Sequence, residues 1–116
     1  MNNLVNFTKD KITVYEGSHG YNIQLQALDE NGNAFNLTGY TVTWTVKDPQ
    51  GTTPKFTRAC TALDLSDGKV NAPIQSGDWS VGSITYNTQL TATTTTPARV
   101  EIFGGLSVRV QEKLAV

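Results

Sequence analysis

The groups able to do chemistry in these 116 residues are few: one histidine, His19, and one cysteine, Cys60. A Ser-His-Asp triad would have to use His19 as its base. His19 sits in Gly17-Ser18-His19-Gly20, a cluster of turn-forming residues in which an exposed loop side chain is the plainer reading. Ser18 adjoins it, but adjacency is not triad geometry, and no nucleophile elbow surrounds it. A Cys60–His19 dyad stays open on sequence alone, with nothing local in its favour. A single cysteine forms no internal disulfide. Cys60 therefore reads first as a small, partly buried apolar side chain, with an intermolecular bridge or a reactive thiol as the alternative.

Metal chemistry fares no better. One Cys and one His do not assemble a usual zinc site. Asp29-Glu30-Asn31-Gly32-Asn33 has the look of a calcium loop, yet counting from Asp29 puts Tyr40 where an EF-hand needs its closing Glu. A hairpin turn is the expected role, and Asp64 and Asp67 flank another turn. Asn6-Phe7-Thr8 and Asn36-Leu37-Thr38 fit the glycosylation triplet, but so short a motif arises easily by chance in a chain with seventeen threonines. No cofactor, no metal and no catalytic residue is expected, and the chain reads as a non-enzyme that binds other molecules.

The aromatic residues are the remaining candidates for a site. Trp44 lies between Val42 and Val46 and reads as core. Trp79 follows Ser76-Gly77-Asp78 at an expected strand start. Core packing is its main reading, because large aromatics dominate core energetics. The sharper alternative is an exposed platform for a sugar or a protein partner, which Tyr15, Tyr40 and Phe103 could extend.

Positioning any of these requires a fold. The chain has the length of one domain, so residues 1–116 read as a single unit with residues 1–10 as a flexible or extended N-terminal segment. Charged residues make up 16% and the net charge is -1, while two Trp, four Tyr and four Phe supply core material. That balance argues against disorder. The nine basic residues form no stripe, so nucleic acid is not an expected partner. No apolar run approaches the ~20 residues that span a bilayer, and the polar Met1–Phe7 stretch does not resemble a secretory leader.

Period-2 alternation supplies the elements. It is clear in Tyr21–Ala27, Thr41–Lys47 and Leu106–Gln111, and shorter at Ile12/Val14 and Ala98/Val100/Ile102. Trp79-Ser80-Val81 and Ile84/Tyr86 have opposite parity, so a β-bulge at Gly82-Ser83 is expected to join them. Phe103-Gly104-Gly105-Leu106 fits either a three-residue hairpin loop or one long strand bent at the glycines. Both place Val100 and Ile102 on the face of Leu106 and Val108. Thr91–Thr96, ending at Pro97, reads as an exposed loop or an edge, a solvated edge strand included. Turn signals at Asp29–Gly32, Asp48–Gly51, Ser66–Gly68 and Ser76–Asp78 separate these segments at a spacing that suits a sandwich or small barrel.

One segment carries more. Ile23–Ala27, the Asp29-Glu30-Asn31-Gly32 turn, Leu37-Thr38-Gly39, the Val42/Trp44/Val46 strand and Asp48-Pro49-Gln50-Gly51 together resemble the N-terminal domain of baseplate upper proteins from tailed phages of Gram-positive bacteria. Tyr15-Glu16-Gly17-Ser18 stands where that family often has a Gly-Asp pair, with Ser18 in place of the acid. The resemblance covers residues 10–52. It implies an immunoglobulin-like antiparallel β-sandwich of about seven to eight strands and no catalytic residue. It also implies a structural or adaptor role in the baseplate, tail or fibre. The expected partners are other virion proteins, self-association included, in a particle assembled in the bacterial cytoplasm. The alternative from another class is a carbohydrate-binding or host-surface adhesion module, with Trp79 as the ring that stacks on a glycan.

Overall fold

The computed structural model describes residues 2–6, 9–49, 54–80 and 82–112. Gln50 and Gly51 of the expected Asp48–Gly51 turn, Val81 of the expected Trp79–Val81 strand, and Phe7 and Thr8 of the first triplet lie outside the described residues. The strands are β1 (Asn3–Val5), β2 (Lys11–Tyr15), β3 (Asn22–Leu28), β4 (Thr41–Lys47), β5 (Pro54–Ala59), β6 (Thr61–Asp64), β7 (Lys69–Pro73), β8 (Ile84–Thr95) and β9 (Ala98–Gln111). Among the described residues the only helical piece is a 3-10 turn at Leu65–Asp67. The chain is an all-β, sandwich-like domain.

Period 2 does what the physics requires of it. In β4, Val42, Trp44 and Val46 are buried while Thr41 is exposed and Thr43 and Thr45 are half-buried. In β3 the buried set is Ile23, Leu25 and Ala27. The strands form one curled sheet in the order β5-β4-β8-β9-β1-β3-β7-β6, with β2 also on β9. Curling brings the two ends of this order together over the core. Arg58 on β5 donates to the Pro73 carbonyl at the end of β7 at 2.6 Å.

The sheet is mixed rather than purely antiparallel. β1 and β2 both run parallel to β9, β1 at Asn3–Gly104 and β2 from Lys11–Ser107 to Tyr15–Gln111. β9 is long enough to hold both in tandem. Part of the N-terminal segment, residues 1–10, is thus β1, whose Leu4 is almost fully buried.

Three local expectations need correction. First, residues 103–106 do continue one long strand, but its parity is not kept. Asn87 faces Ser107 while Gln89 faces Gly104, so β9 carries one residue more than β8 across that step. This is a β-bulge, and Gly105, at φ 101°, supplies the positive φ it needs. The bulge buries Phe103 with Leu106 and turns Val100 and Ile102 outward, at 64% and 50% exposure. Second, Thr91–Thr95 is strand rather than loop, interior as far as Thr93 and open on one side only at Thr94 and Thr95, past the end of β4. It belongs to β8, an interior strand between β4 and β9, because Leu90 and Ala92 supply the buried alternation. Third, no strand runs through Gly82-Ser83. Trp79 lies in a turn, Ser83 has φ 60°, and β8 begins at Ile84.

The Ser66–Gly68 turn contains the tightest backbone approach. Gly68 has φ 71°, and a Cβ there would lie 2.6 Å from the Phe35 carbonyl oxygen and 2.7 Å from that of Ala27. Only glycine fits this position. It locks β3 and the Asp29–Gly39 segment onto the β6–β7 connection.

Candidate functional site

The candidate catalytic groups do not converge. His19 is exposed on the β2–β3 connection, its Nδ1 3.1 Å from the Gly17 carbonyl. Its neighbour Ser18 donates to the Tyr15 carbonyl at 2.7 Å and lies 2.9 Å from the Tyr21 hydroxyl. Cys60 is half-buried between β5 and β6, with its thiol 3.9 Å from the Arg58 carbonyl. Burial pushes the Cys60 thiol up to about 12, partly offset by a backbone hydrogen bond at Trp44.

A raised thiol pKa has a definite consequence. The folded state holds the neutral thiol more strongly than the unfolded chain, so this contribution to stability is whole below pH 9 and is lost as pH rises toward 12. At pH 8 the thiolate fraction is about a thousandfold below that of an unperturbed thiol, since each pKa unit is tenfold. Alkylation of the native protein is therefore expected to be markedly slower than that of the urea-unfolded chain at the same pH. Equal rates before and after unfolding would count against this.

Asp29 is occupied as a turn cap. Its Oδ1 accepts from the backbone N–H of Asn31 at 2.9 Å and of Asn33 at 3.0 Å, and its own N–H donates to the Asn33 carbonyl at 2.8 Å. These are the bonds of an Asx turn. Asp64 accepts from the Ser66 hydroxyl at 2.9 Å, and Asp67 pairs with Lys69 at 3.1 Å. Among the described residues no group of three His, Cys, Asp or Glu side chains could hold a metal ion. Leu37, in the second triplet, is fully buried beside Asn36, whose Oδ1 caps the Thr38 N–H at 3.0 Å.

Trp79 is not a platform. It is fully buried, with its ring centroid 5.3 Å from that of Phe56, 6.0 Å from Tyr86 and 6.4 Å from Trp44. Its Nε1 donates to the Tyr21 hydroxyl at 3.0 Å. The indole therefore turns its faces to the core and its one polar atom to an internal partner, so it cannot stack on a sugar. Phe103 is buried as well, against Phe35 at 5.0 Å. Tyr40 is half-buried 5.9 Å from Phe35. Of the four aromatics named for such a surface, Tyr15 alone is exposed, at 59%.

What the fold does present is a sheet face. On the outer side of β4, Thr41, Thr43 and Thr45 stand opposite Thr93, Thr91 and Gln89 of β8. Thr91 and Thr93 in turn stand opposite Ile102 and Val100 of β9. Thr57 and Ala59 of β5 complete the far side. None of these ten side chains is charged. Charge returns only toward the other end, at Lys47 and Arg109. Val100 and Ile102 join this face only through the bulge at Gly105, since unbroken parity puts them on the side of Leu106 and Val108.

The strongest polar cluster is one that sequence reasoning missed. Arg58 and Asp78 form a two-pronged pair, with both N···O distances 2.8 Å. Asp78 also accepts from the Gln75 N–H at 2.7 Å, and the Arg58 guanidinium sits 4.9 Å over the Phe56 ring. Every one of these contacts is internal, so the cluster helps to close the sandwich. No protein-family model and no curated protein matches the chain.

Proposed function

We propose that this domain is a non-enzymatic assembly module of a tailed-phage particle, acting in the baseplate, tail or fibre through protein–protein contacts. The observation that carries this reading is the uncharged threonine, valine and isoleucine face of β5, β4, β8 and β9. Depletion of charge marks the centre of protein interfaces more reliably than bulk hydrophobicity does. The phage setting rests on the resemblance of the Asp29–Gly39 segment. That segment is built as a rigid unit, with its turn capped by Asp29 and Leu37 sunk in the core. The partners are other virion proteins.

The test is co-expression with the proteins encoded by the neighbouring genes, followed by size-exclusion chromatography. Co-elution with one of them is expected. Placing lysines at Thr43 and Thr91, which stand directly opposite each other, is expected to weaken that complex about tenfold or more. Co-elution with none of these proteins, or a complex indifferent to two lysines on this face, overturns the reading.

A further inference from the structure

The β8–β9 hairpin extends past the end of β4. β4 stops at the Thr41–Thr93 pair, while β8 and β9 continue to Thr95–Ala98. Residues 95–100 are all exposed. On its other side β9 is covered by β1 at Gly104 and by β2 from Ser107 onward. Among the described residues, no strand pairs with that edge from Ala98 to Ile102.

The direction of the open backbone groups follows from the ladder. The Gly104 N–H points away from β8, to the Asn2 carbonyl. Alternation along an antiparallel strand gives Ile102, Val100 and Ala98 the same direction. Their N–H and C=O groups therefore face the open edge, a ready template for another strand. Arg99 and Glu101 lie between them, with their own backbone groups turned to β8.

The sequence of this edge is complementary to itself in one register. When two copies pair antiparallel about a two-fold axis, outward residues must oppose outward residues, so the axis passes through a residue rather than between two. An axis at Arg99 sets arginine against arginine, and an axis at Glu101 sets glutamate against glutamate. An axis at Val100 sets Arg99 against Glu101 of the second copy twice over. It also places Val100 against Val100, and Ile102 against Ala98. Arg99 and Glu101 then form the non-hydrogen-bonded pairs, where cross-strand side chains come closest. The exposed Val100 and Ile102 of both copies merge into one apolar strip continuous with the threonine face.

We propose that the Ala98–Ile102 edge of β9 pairs antiparallel with the same edge of a second copy of this chain, with the two-fold axis at Val100. The proposal names one partner for the assembly role and rests on that reading. Its test needs no virion protein, so its failure is distinguishable from failure to bind one.

Sedimentation equilibrium of the full chain is expected to show a concentration-dependent dimer. Arg99→Glu and Glu101→Arg, each alone, turn both opposite-charge pairs into like-charge pairs and are expected to weaken the dimer about tenfold or more. The double variant restores both pairs with reversed sign and is expected to regain wild-type association. All these side chains stand on the hairpin, and circular dichroism checks that each variant is folded. In a Cys60→Ser background, Val100→Cys is expected to give a disulfide-linked dimer on mild oxidation, since paired Cα atoms on neighbouring strands are about 5.5 Å apart, within disulfide range. A chain that stays monomeric at millimolar concentration overturns the proposal. So do single reversals without effect, or a double variant that stays as weak as the singles.

Discussion

Asp78→Ala is expected to lower the unfolding free energy by about 3–5 kcal/mol, the cost of breaking a buried ion pair from one side. The side chains of Arg58 and Asp78 are only 13% and 8% exposed. Without Asp78, the guanidinium keeps the Pro73 carbonyl and the Phe56 ring but loses its counter-charge. The Gln75 N–H loses its acceptor in the same step. The pair also joins β5, at one end of the sheet order, to the turn after β7, the strand next to the other end, so the loss falls where the sandwich is closed. Urea unfolding followed by Trp fluorescence reads the change as a lower midpoint. The double variant Arg58→Met with Asp78→Leu is expected to be more stable than Asp78→Ala, because an apolar pair of similar volume removes both buried charges together. A loss below about 1 kcal/mol for Asp78→Ala, the value of an exposed pair, would show that the contact is solvated in solution.

The fold was legible where alternation was strict and both neighbours were conventional. Thr41–Lys47 and Tyr21–Ala27 declared their buried faces outright, since every second residue there is apolar. β5, β6 and β7 did not announce themselves, because their buried content is thin. β7 buries only Val70 and Ala72 along its length, and all four residues of β6 are exposed. The parallel pairing of β1 and β2 on β9 is a long-range choice. Local pattern does not encode which of two compatible edges a strand joins.

The two ends of β9 show why parity is fragile. Leu106, Val108 and Val110 alternate correctly, and Val100 and Ile102 continue the same numbering. Yet the second pair faces out, because one extra residue at the Gly105 bulge moves every side chain beyond it to the opposite face. Two adjacent glycines could have signalled that shift. Nothing in the chain short of the β8 register says whether the extra residue is accommodated by a loop, a bend or a bulge. The threonine run misled for a related reason. The low complexity of Thr91–Thr96 suggested an exposed loop or an edge, whereas threonine is a strand residue whose hydroxyl and methyl groups suit a half-buried outer face. The turn residues were the most legible part of all: Asp29, Gly32 and Gly68 each stand where the geometry needs an Asx cap or a positive φ. Arg58 and Asp78 were invisible because an ion pair between residues 20 apart leaves no periodic trace.

Trp79 separates the two classes of function most sharply, because its two readings predict opposite phenotypes. Its fully buried ring packs on Phe56, Tyr86 and Trp44, and its Nε1 begins a relay from the Tyr21 hydroxyl to Ser18 and the Tyr15 carbonyl. The Trp79 carbonyl meanwhile accepts from the Gly17 N–H at 2.7 Å. A turn residue thus ties the β2–β3 connection to the core, and Ser18 serves this relay. Trp79→Ala is expected to lower stability by about 3–5 kcal/mol, as large aromatic truncations in cores do. Trp79→Phe keeps an aromatic ring but leaves the Tyr21 hydroxyl without its donor, for an expected loss of about 1–3 kcal/mol. Asp78 is the preceding residue, so the losses from Asp78→Ala and Trp79→Ala are not expected to add. A stacking platform for sugar would behave in the reverse manner: Trp79→Ala would leave the thermal midpoint where it was and abolish binding on a glycan array. Thermal unfolding of the one variant decides the matter, since a midpoint equal to wild type is incompatible with a ring buried at the centre of the aromatic cluster.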